Sequence, residues 1–275
     1  MQTAPAVLRT SAYTVSVADN KLVSDVSFDQ SGYSEFKYGS TENVPRYSQE
    51  LVRLGELFHL KSSEIVVTGT PFRRAPNSAH FLALGVTLVL QKLGMNVHYE
   101  PIYQQVIPAG DYSYMSSRER AERNKSKRYC FDKESFTDKH VIVVDDMRVT
   151  GSIEKSVTDM LQQSTRPLST TCLSLVQVDS EAAKINPEIE GYINHFSMNS
   201  LEAIAGMMQR PKSQHCVNAR LVKRVLEQED ACEVNNFFDM LNPAQTRSIY
   251  DAIIQDGLDK THKYQQNFKT LLAYL

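Results

Sequence analysis

Two short segments near the start of the chain, Tyr13 to Val17 and Leu22 to Phe28, alternate apolar and polar residues. Ala18-Asp19-Asn20 between them has turn chemistry, so the pattern predicts a hairpin. Pro45 then opens a stretch to Leu60 in which Leu51, Leu54, Leu57 and Phe58 recur at helical spacing. From there strands and helices alternate. Glu64 to Thr68 reads as a buried strand, Ser78 to Leu93 as a helix, and Asn96 to Tyr99 as a strand. His140 to Val144 is an apolar strand ending in two aspartates, followed by a helix with Ile153, Val157, Met160 and Leu161 on one face. Ser169 to Val178 and Tyr192 to Phe196 are further strand candidates. Strand-helix-strand alternation predicts an α/β core with a parallel sheet.

After about residue 200 the strand pattern stops. Leu201, Ile204, Ala205 and Met208 share a helical face, as do Leu221, Val222, Val225 and Leu226, and later Tyr264, Phe268, Leu271, Leu272 and Leu275. Asn242 and Pro243 read as the N-cap and first residue of another helix. Residues 200–275 are therefore expected to form an all-helical subdomain. Its apolar stripes suit internal packing and also the pairing of two chains in a homodimer. One stretch lacks apolar periodicity, between Val97 and Val141, and within it Arg118 to Arg128 carries six basic side chains against two acidic ones. Long connections without secondary structure are uncommon in compact domains unless they act as lids or binding loops.

Composition narrows the class. Of 275 residues 41% are hydrophobic and 23% charged, an ordinary globular balance. Thirty basic and 32 acidic side chains leave a net charge of -2, so no global field argues for nucleic acid or an anionic membrane. The longest mostly apolar run, Ala79 to Leu90, is too short to span a bilayer, and Met1 to Val15 lacks the pattern of a secretory signal. Cys130, Cys172, Cys216 and Cys232 lie at least 16 residues apart, which argues against a disulfide framework or zinc site. A cytoplasmic protein is expected. The histidines make no metal spacing, and no P-loop, dinucleotide fingerprint or nucleophile elbow occurs.

Chemistry concentrates between Val141 and Ser152. Two carboxylates, Asp145 and Asp146, end a buried strand, and Met147-Arg148-Val149-Thr150-Gly151-Ser152 leads into a helix. Ligands of open α/β sheets sit outside the carboxyl ends of the strands, and a helix N-terminus offers unpaired N–H groups to a phosphate. Paired carboxylates repel phosphate but suit a sugar's vicinal hydroxyls or Mg²⁺ held through water. A phosphorylated ribose satisfies both halves.

This stretch resembles the phosphoribosyl diphosphate (PRPP) signature of type I phosphoribosyltransferases: four apolar residues, two acidic residues, two variable positions, then Thr-Thr-Gly. It departs from that signature at Val149 and Ile153, where hydroxyl residues are usual, with Ser152 and Arg148 as substitutes. Phe36-Lys37-Tyr38-Gly39, Asp111-Tyr112-Ser113 and the Asp-Asp-Met-Arg-Val-Thr-Gly form are similar to a branch often encoded beside tellurium-resistance and stress genes.

The resemblance implies a hood over residues 1–45, a core over 46–199 and the helical subdomain over 200–275. It implies Asp145, Asp146, Arg73 and Arg74 as the catalytic set, with Asp145 and Asp146 also serving Mg²⁺. The 5-phosphate falls to Met147 through Ser152. The diphosphate falls to the loop Thr68-Gly69-Thr70-Pro71-Phe72-Arg73-Arg74-Ala75, where Gly69 permits an unusual turn. A lid over Val106 to Lys139 has Tyr112, Ser113, Tyr114, Arg118 and Arg123 as candidates, and Lys37 is the hood candidate. The implied activity is Mg²⁺-dependent transfer from PRPP to a small-molecule, base-like acceptor, with a PRPP- or nucleotide-binding sensor as the alternative.

Overall fold

The apolar run Val141 to Val144 lies in the interior of a six-stranded sheet, and all four side chains are buried. The computed structural model describes residues 7–18, 21–24, 28–105, 129–185, 188–210 and 214–275. The strands of the sheet are β1 (Val7–Ala18), β2 (Lys21–Ser24), β3 (Glu64–Gly69), β4 (Asn96–Tyr99), β7 (His140–Arg148) and β8 (Ser169–Val178), in the order β2-β1-β8-β7-β3-β4. β1 and β2 form the expected antiparallel hairpin, and every other pairing is parallel. β5 (Tyr103–Gln104) and β6 (Tyr129–Cys130) make a separate short ribbon.

Helices α1 (Gln30–Lys37), α2 (Val44–Leu54) and α3 (Ser78–Lys92) precede β4, and α4 (Ser152–Thr165) joins β7 to β8. α5 (Ser180–Ile185) and α6 (Ile189–Asn194) follow β8, and α7 (Leu201–Met208), α8 (Ala219–Leu226), α9 (Ala231–Met240), α10 (Pro243–Asp256) and α11 (Gln265–Leu272) complete the chain. Val157 and Leu161 of α4 are buried in one core cluster with Val141, Val143 and Cys172, as the helical spacing requires. Phe136 is buried in the same cluster, so the described residues 129–139 of the expected lid stretch belong at least partly to the core.

The strand expected over Tyr192 to Phe196 is instead the end of α6. Ile189 and Ile193, four apart, are both buried, whereas Tyr192 and Phe196 are 41% and 46% exposed. Burial thus selects the helical pair over the short apolar run.

The chain divides into two compact units. The first holds Met1–Phe28, Val44–Phe72 and Ala79–Tyr192, which includes the whole six-stranded sheet. The second holds Asp29–Asn43, Arg73–Ser78 and Ile193–Leu275. These units cut the chain differently from the segments 1–45, 46–199 and 200–275: β1 is a strand of the core sheet, while α1 groups with the C-terminal helices. In the second unit α7 packs against α9, burying Leu201, Ile204, Val234, Phe237 and Phe238. Asn242 caps α10 through a capping box with Gln245, with Pro243 at its start, as expected.

Candidate functional site

In the first unit β3 passes through α3 to β4 on one side, and β7 lies on its other side. The strand order therefore reverses between β3 and β7, the topological switch point at which ligands of open α/β sheets bind. At the carboxyl ends Gly69 is in register with Val144, and the Thr70 N–H donates to the Val144 carbonyl at 3.2 Å. Thr68-Gly69-Thr70 is thus joined through Val144 to the strand that carries Asp145 and Asp146.

Gly69 does not take a positive φ, which corrects the expectation of an unusual turn. A Cβ there would sit 2.9 Å from the Ala79 carbonyl oxygen and 3.0 Å from its carbon. Glycine is required by the close approach of α3. The main chain continues to Phe72, whose N–H donates to the Ile102 carbonyl at 3.3 Å and whose carbonyl accepts from the Gln104 N–H at 2.7 Å. β5 is thereby tied to the loop after β3. Tyr112, Ser113, Tyr114, Arg118 and Arg123 lie outside the described residues.

β7 runs further than its apolar pattern predicts. Asp145 is in register with Ser174, Met147 with Val176 and Arg148 with Gln177, so Met147 and Arg148 are strand residues rather than loop. β8 continues past the end of the apolar run and offers a pairing edge to polar residues. Successive side chains of a pleated strand leave opposite faces, so Asp145 and Asp146 leave β7 on opposite sides. Asp146 is buried, and Asp145 Oδ1 accepts the Asp146 N–H at 2.9 Å.

Gly151 does adopt a left-handed conformation, φ 68°, and forms the N-cap of α4. It has no side chain with which to cap, and the Thr150 hydroxyl compensates in part. Its oxygen accepts the Ser152 N–H at 3.3 Å, and its O–H donates to Ser152 Oγ at 3.0 Å. The other first-turn N–H groups of a helix have no intrahelical acceptor, so this turn has the chemistry of an anion seat.

Glu154 in the same turn is buried and meets two arginines, Arg9 Nε at 2.5 Å and Arg148 Nε at 3.0 Å. The hydrogen bond to Glu154 pushes the Arg9 guanidinium further up. Arg148 Nη1 donates to Gln177 Oε1 at 2.7 Å. Arg148, expected at the phosphate, is therefore held by internal partners. Nothing in the spacing of Arg9, Glu154 and Gln177 marked them, because only the β1-β8-β7 pairing brings them together. A cavity of about 340 Å³ opens here, its lining including Arg9, Arg148, Thr150, Gly151, Glu154 and Lys155.

In the second unit, the Arg74 and Ala75 N–H groups both donate to Asp256 Oδ1 at 2.8 Å. Arg73 Nη1 is buried with no hydrogen-bond partner among the described residues. Lys37 is buried, its Nζ 5.9 Å from the centroid of the Tyr33 ring, and its carbonyl accepts from Asn218 Nδ2 at 3.0 Å.

Among the described residues no group of three or more His, Cys, Asp or Glu could hold a metal ion. Asp145 and Asp146 alone suit Mg²⁺, a cation that keeps most of its shell as water and substrate oxygens and takes one or two carboxylates from a protein. Among the same residues no helix is long and apolar enough to cross a membrane.

Solved structures similar to this chain include a hypoxanthine phosphoribosyltransferase from Staphylococcus aureus, 16% identical, with 54% of this chain and 70% of that one covered and a TM-score of 0.36. The hypoxanthine-guanine phosphoribosyltransferase of L. donovani is 14% identical, with 50% and 70% covered and a TM-score of 0.36. No curated protein matches. A sequence-family model described as PRTase ComF-like matches residues 10–271, nearly the whole chain, and the protein belongs to that family.

Proposed function

We propose that the chain transfers the 5-phosphoribosyl group from PRPP to a nitrogenous small-molecule acceptor and releases diphosphate. One observation carries this reading: the switch point between β3 and β7 joins a threonine-glycine loop, a carboxylate pair and a left-handed helix N-cap in one unit. A diphosphate, a ribose and a 5-phosphate need those three chemistries in that order. Asp145 and Asp146 accept hydrogen bonds from the ribose hydroxyls and stabilise positive charge as the bond from C1 to the diphosphate oxygen breaks. The first-turn N–H groups after Gly151, with Thr150 and Ser152, hold the 5-phosphate. Thr68, Gly69 and Thr70 hold the diphosphate together with Arg73 and Arg74, which follow them in the chain. Mg²⁺, when bound, neutralises charge on the departing diphosphate. The acceptor nitrogen forms the new bond to C1 and gives up its proton.

A sensor that binds PRPP without transferring it is the second reading. Val149 in place of a hydroxyl residue and the engagement of Arg148 by Glu154 favour it.

Calorimetric titration of PRPP with and without Mg²⁺ tests the site. Mg²⁺-dependent binding that weakens at least tenfold (about 1.4 kcal/mol) in the Asp145→Asn/Asp146→Asn variant is the expected result. No binding by the folded native protein at millimolar PRPP sinks both readings. Diphosphate release in an acceptor screen separates the enzyme from the sensor.

A further inference from the structure

We propose that His80 is a positioning residue for the Thr68-Gly69-Thr70 loop, acting through Phe72, with its own ring set by the Tyr99 hydroxyl. The proposal rests on the phosphoribosyl reading. Every residue involved lies in the first unit. Thr68 and Gly69 end β3, and Thr70 and Pro71 carry the chain to Phe72. At the near end the loop leans on the first turn of α3: a Cβ on Gly69 would lie 2.9 Å from the Ala79 carbonyl oxygen and 3.1 Å from the His80 nitrogen. At the far end the buried Phe72 ring meets the His80 imidazole edge to face, with centroids 5.0 Å apart and planes at 69°. The two ends of the loop rest on consecutive residues of one helix turn.

His80 is itself held. Its Nδ1 lies 2.7 Å from the Tyr99 hydroxyl at the end of β4, and the two rings pack at 5.2 Å and 78°. Burial keeps the imidazole below its ordinary range and pushes the Tyr99 phenol up, so the bond joins two uncharged groups near neutral pH. A second apolar ring in place of His80 would fill the space, but the torsion of a ring about its bond to Cβ is broad. A buried hydrogen bond is directional and narrows it.

The main chain and the rings then divide the work. Phe72 is fixed in place by its N–H to the Ile102 carbonyl and its carbonyl to the Gln104 N–H. Its ring stands between His80 and Tyr103, whose ring lies 5.4 Å away at 70°. Thr70, with its N–H on the Val144 carbonyl, sits between the two supported ends. His80 therefore sets the course of the loop past Thr70 without touching the ligand.

The test uses the full chain with His80→Ala, His80→Phe, Tyr99→Phe and the His80→Phe/Tyr99→Phe double variant. Three quantities are measured: binding of Mg-diphosphate, binding of ribose 5-phosphate, and hydrogen exchange of the Thr70 and Phe72 amides. Expected for His80→Ala are a loss of about tenfold or more in diphosphate affinity, ribose 5-phosphate affinity within about threefold of native, and faster exchange at both amides. His80→Phe and Tyr99→Phe should each lose about threefold or more in diphosphate affinity, and the double variant should be no weaker than His80→Phe, because either change removes the same hydrogen bond. Diphosphate affinity unchanged in His80→Ala, or an equal loss for both ligands, overturns the positioning role. Losses that multiply in the double variant overturn the part given to Tyr99. Thr70 and Phe72 amides that exchange no faster in His80→Ala overturn the support of the loop by α3. If the native protein binds neither ligand, the phosphoribosyl reading falls and takes the positioning role with it, while exchange still decides the support.

Discussion

The Arg148 guanidinium lies 3.0 Å from the Glu154 carboxylate, across the left-handed Gly151 that joins β7 to α4. The distance is that of an ion pair, although the Nε–H is not aligned for a hydrogen bond. Arg9 adds an aligned bond to the same carboxylate from β1. The Glu154 side chain is 5% exposed, whereas Arg9 and Arg148 are 45% and 31% exposed, so solvent screens the cations more than the anion. Replacing Glu154 by Gln removes the buried charge but leaves its size, and should lower stability by about 1–3 kcal/mol. Urea unfolding of the variant checks this; an unchanged midpoint would show that the cluster contributes nothing to stability.

Gly69 and Gly151 should respond differently to alanine. At Gly69 the obstacle is backbone, the Ala79 carbonyl, which cannot swing aside. Overpacking of this kind costs about 1–3 kcal/mol, and PRPP affinity should fall with it. At Gly151 the nearest atoms belong to the Arg148 guanidinium, which can shift, and the cost is mainly that of a left-handed alanine, about 1–2 kcal/mol. Urea midpoints for the two variants, paired with PRPP titration, measure both terms.

Asn242→Ala removes one half of the capping box on α10. A loss of about 1 kcal/mol is expected. Because α10 ends in Asp256, an accompanying rise in hydrogen exchange at Arg74 and Ala75 would show that the helix carries the loop.

Stability should decline on mild acidification. Burial holds His80 and His215 below the ordinary imidazole range; His80 Nδ1 lies 2.7 Å from the Tyr99 hydroxyl, and His215 Nε2 donates to the Tyr38 carbonyl at 2.9 Å. In the unfolded chain both titrate near about 6.5. Between the folded and unfolded values the unfolded state therefore binds more protons, and stability rises with pH. Their contribution is complete above the unfolded value, shrinks as pH falls through it, and levels off once the folded imidazoles protonate. Urea midpoints at about pH 7.5 and about pH 5.5 should differ, with the lower one at the acid pH. A His80→Gln/His215→Gln variant should show a flatter profile.

Much of the sheet is readable from pattern alone. Asn96–Tyr99 and Ser169–Val178 have the bounds their alternation and apolar runs predict, and Asn242-Pro243 opens α10 as capping chemistry requires. These features are local: a strand's burial or a cap's hydrogen bond is encoded within a few residues. The far end of β7 is not, because Met147 and Arg148 are held in strand by β8 and not by their own polarity. The helix at Ile189–Asn194 is likewise decided by which side chains find a core.

The carboxylate pair, the Thr68-Gly69-Thr70 loop and the Thr150-Gly151-Ser152 turn could be named from the sequence because each is contiguous. Glu154 with Arg9, and Asp256 with Arg74, could not. Their partners lie 145 and 182 residues away, and a lone carboxylate on a helix looks the same in sequence whether it is solvated or aimed at a backbone amide. By itself the sequence determined the chemistry present and the strands and caps that carry much of it. Only the tertiary structure decided which charges are committed to one another, because burial and partner choice depend on contacts between residues that are distant along the chain.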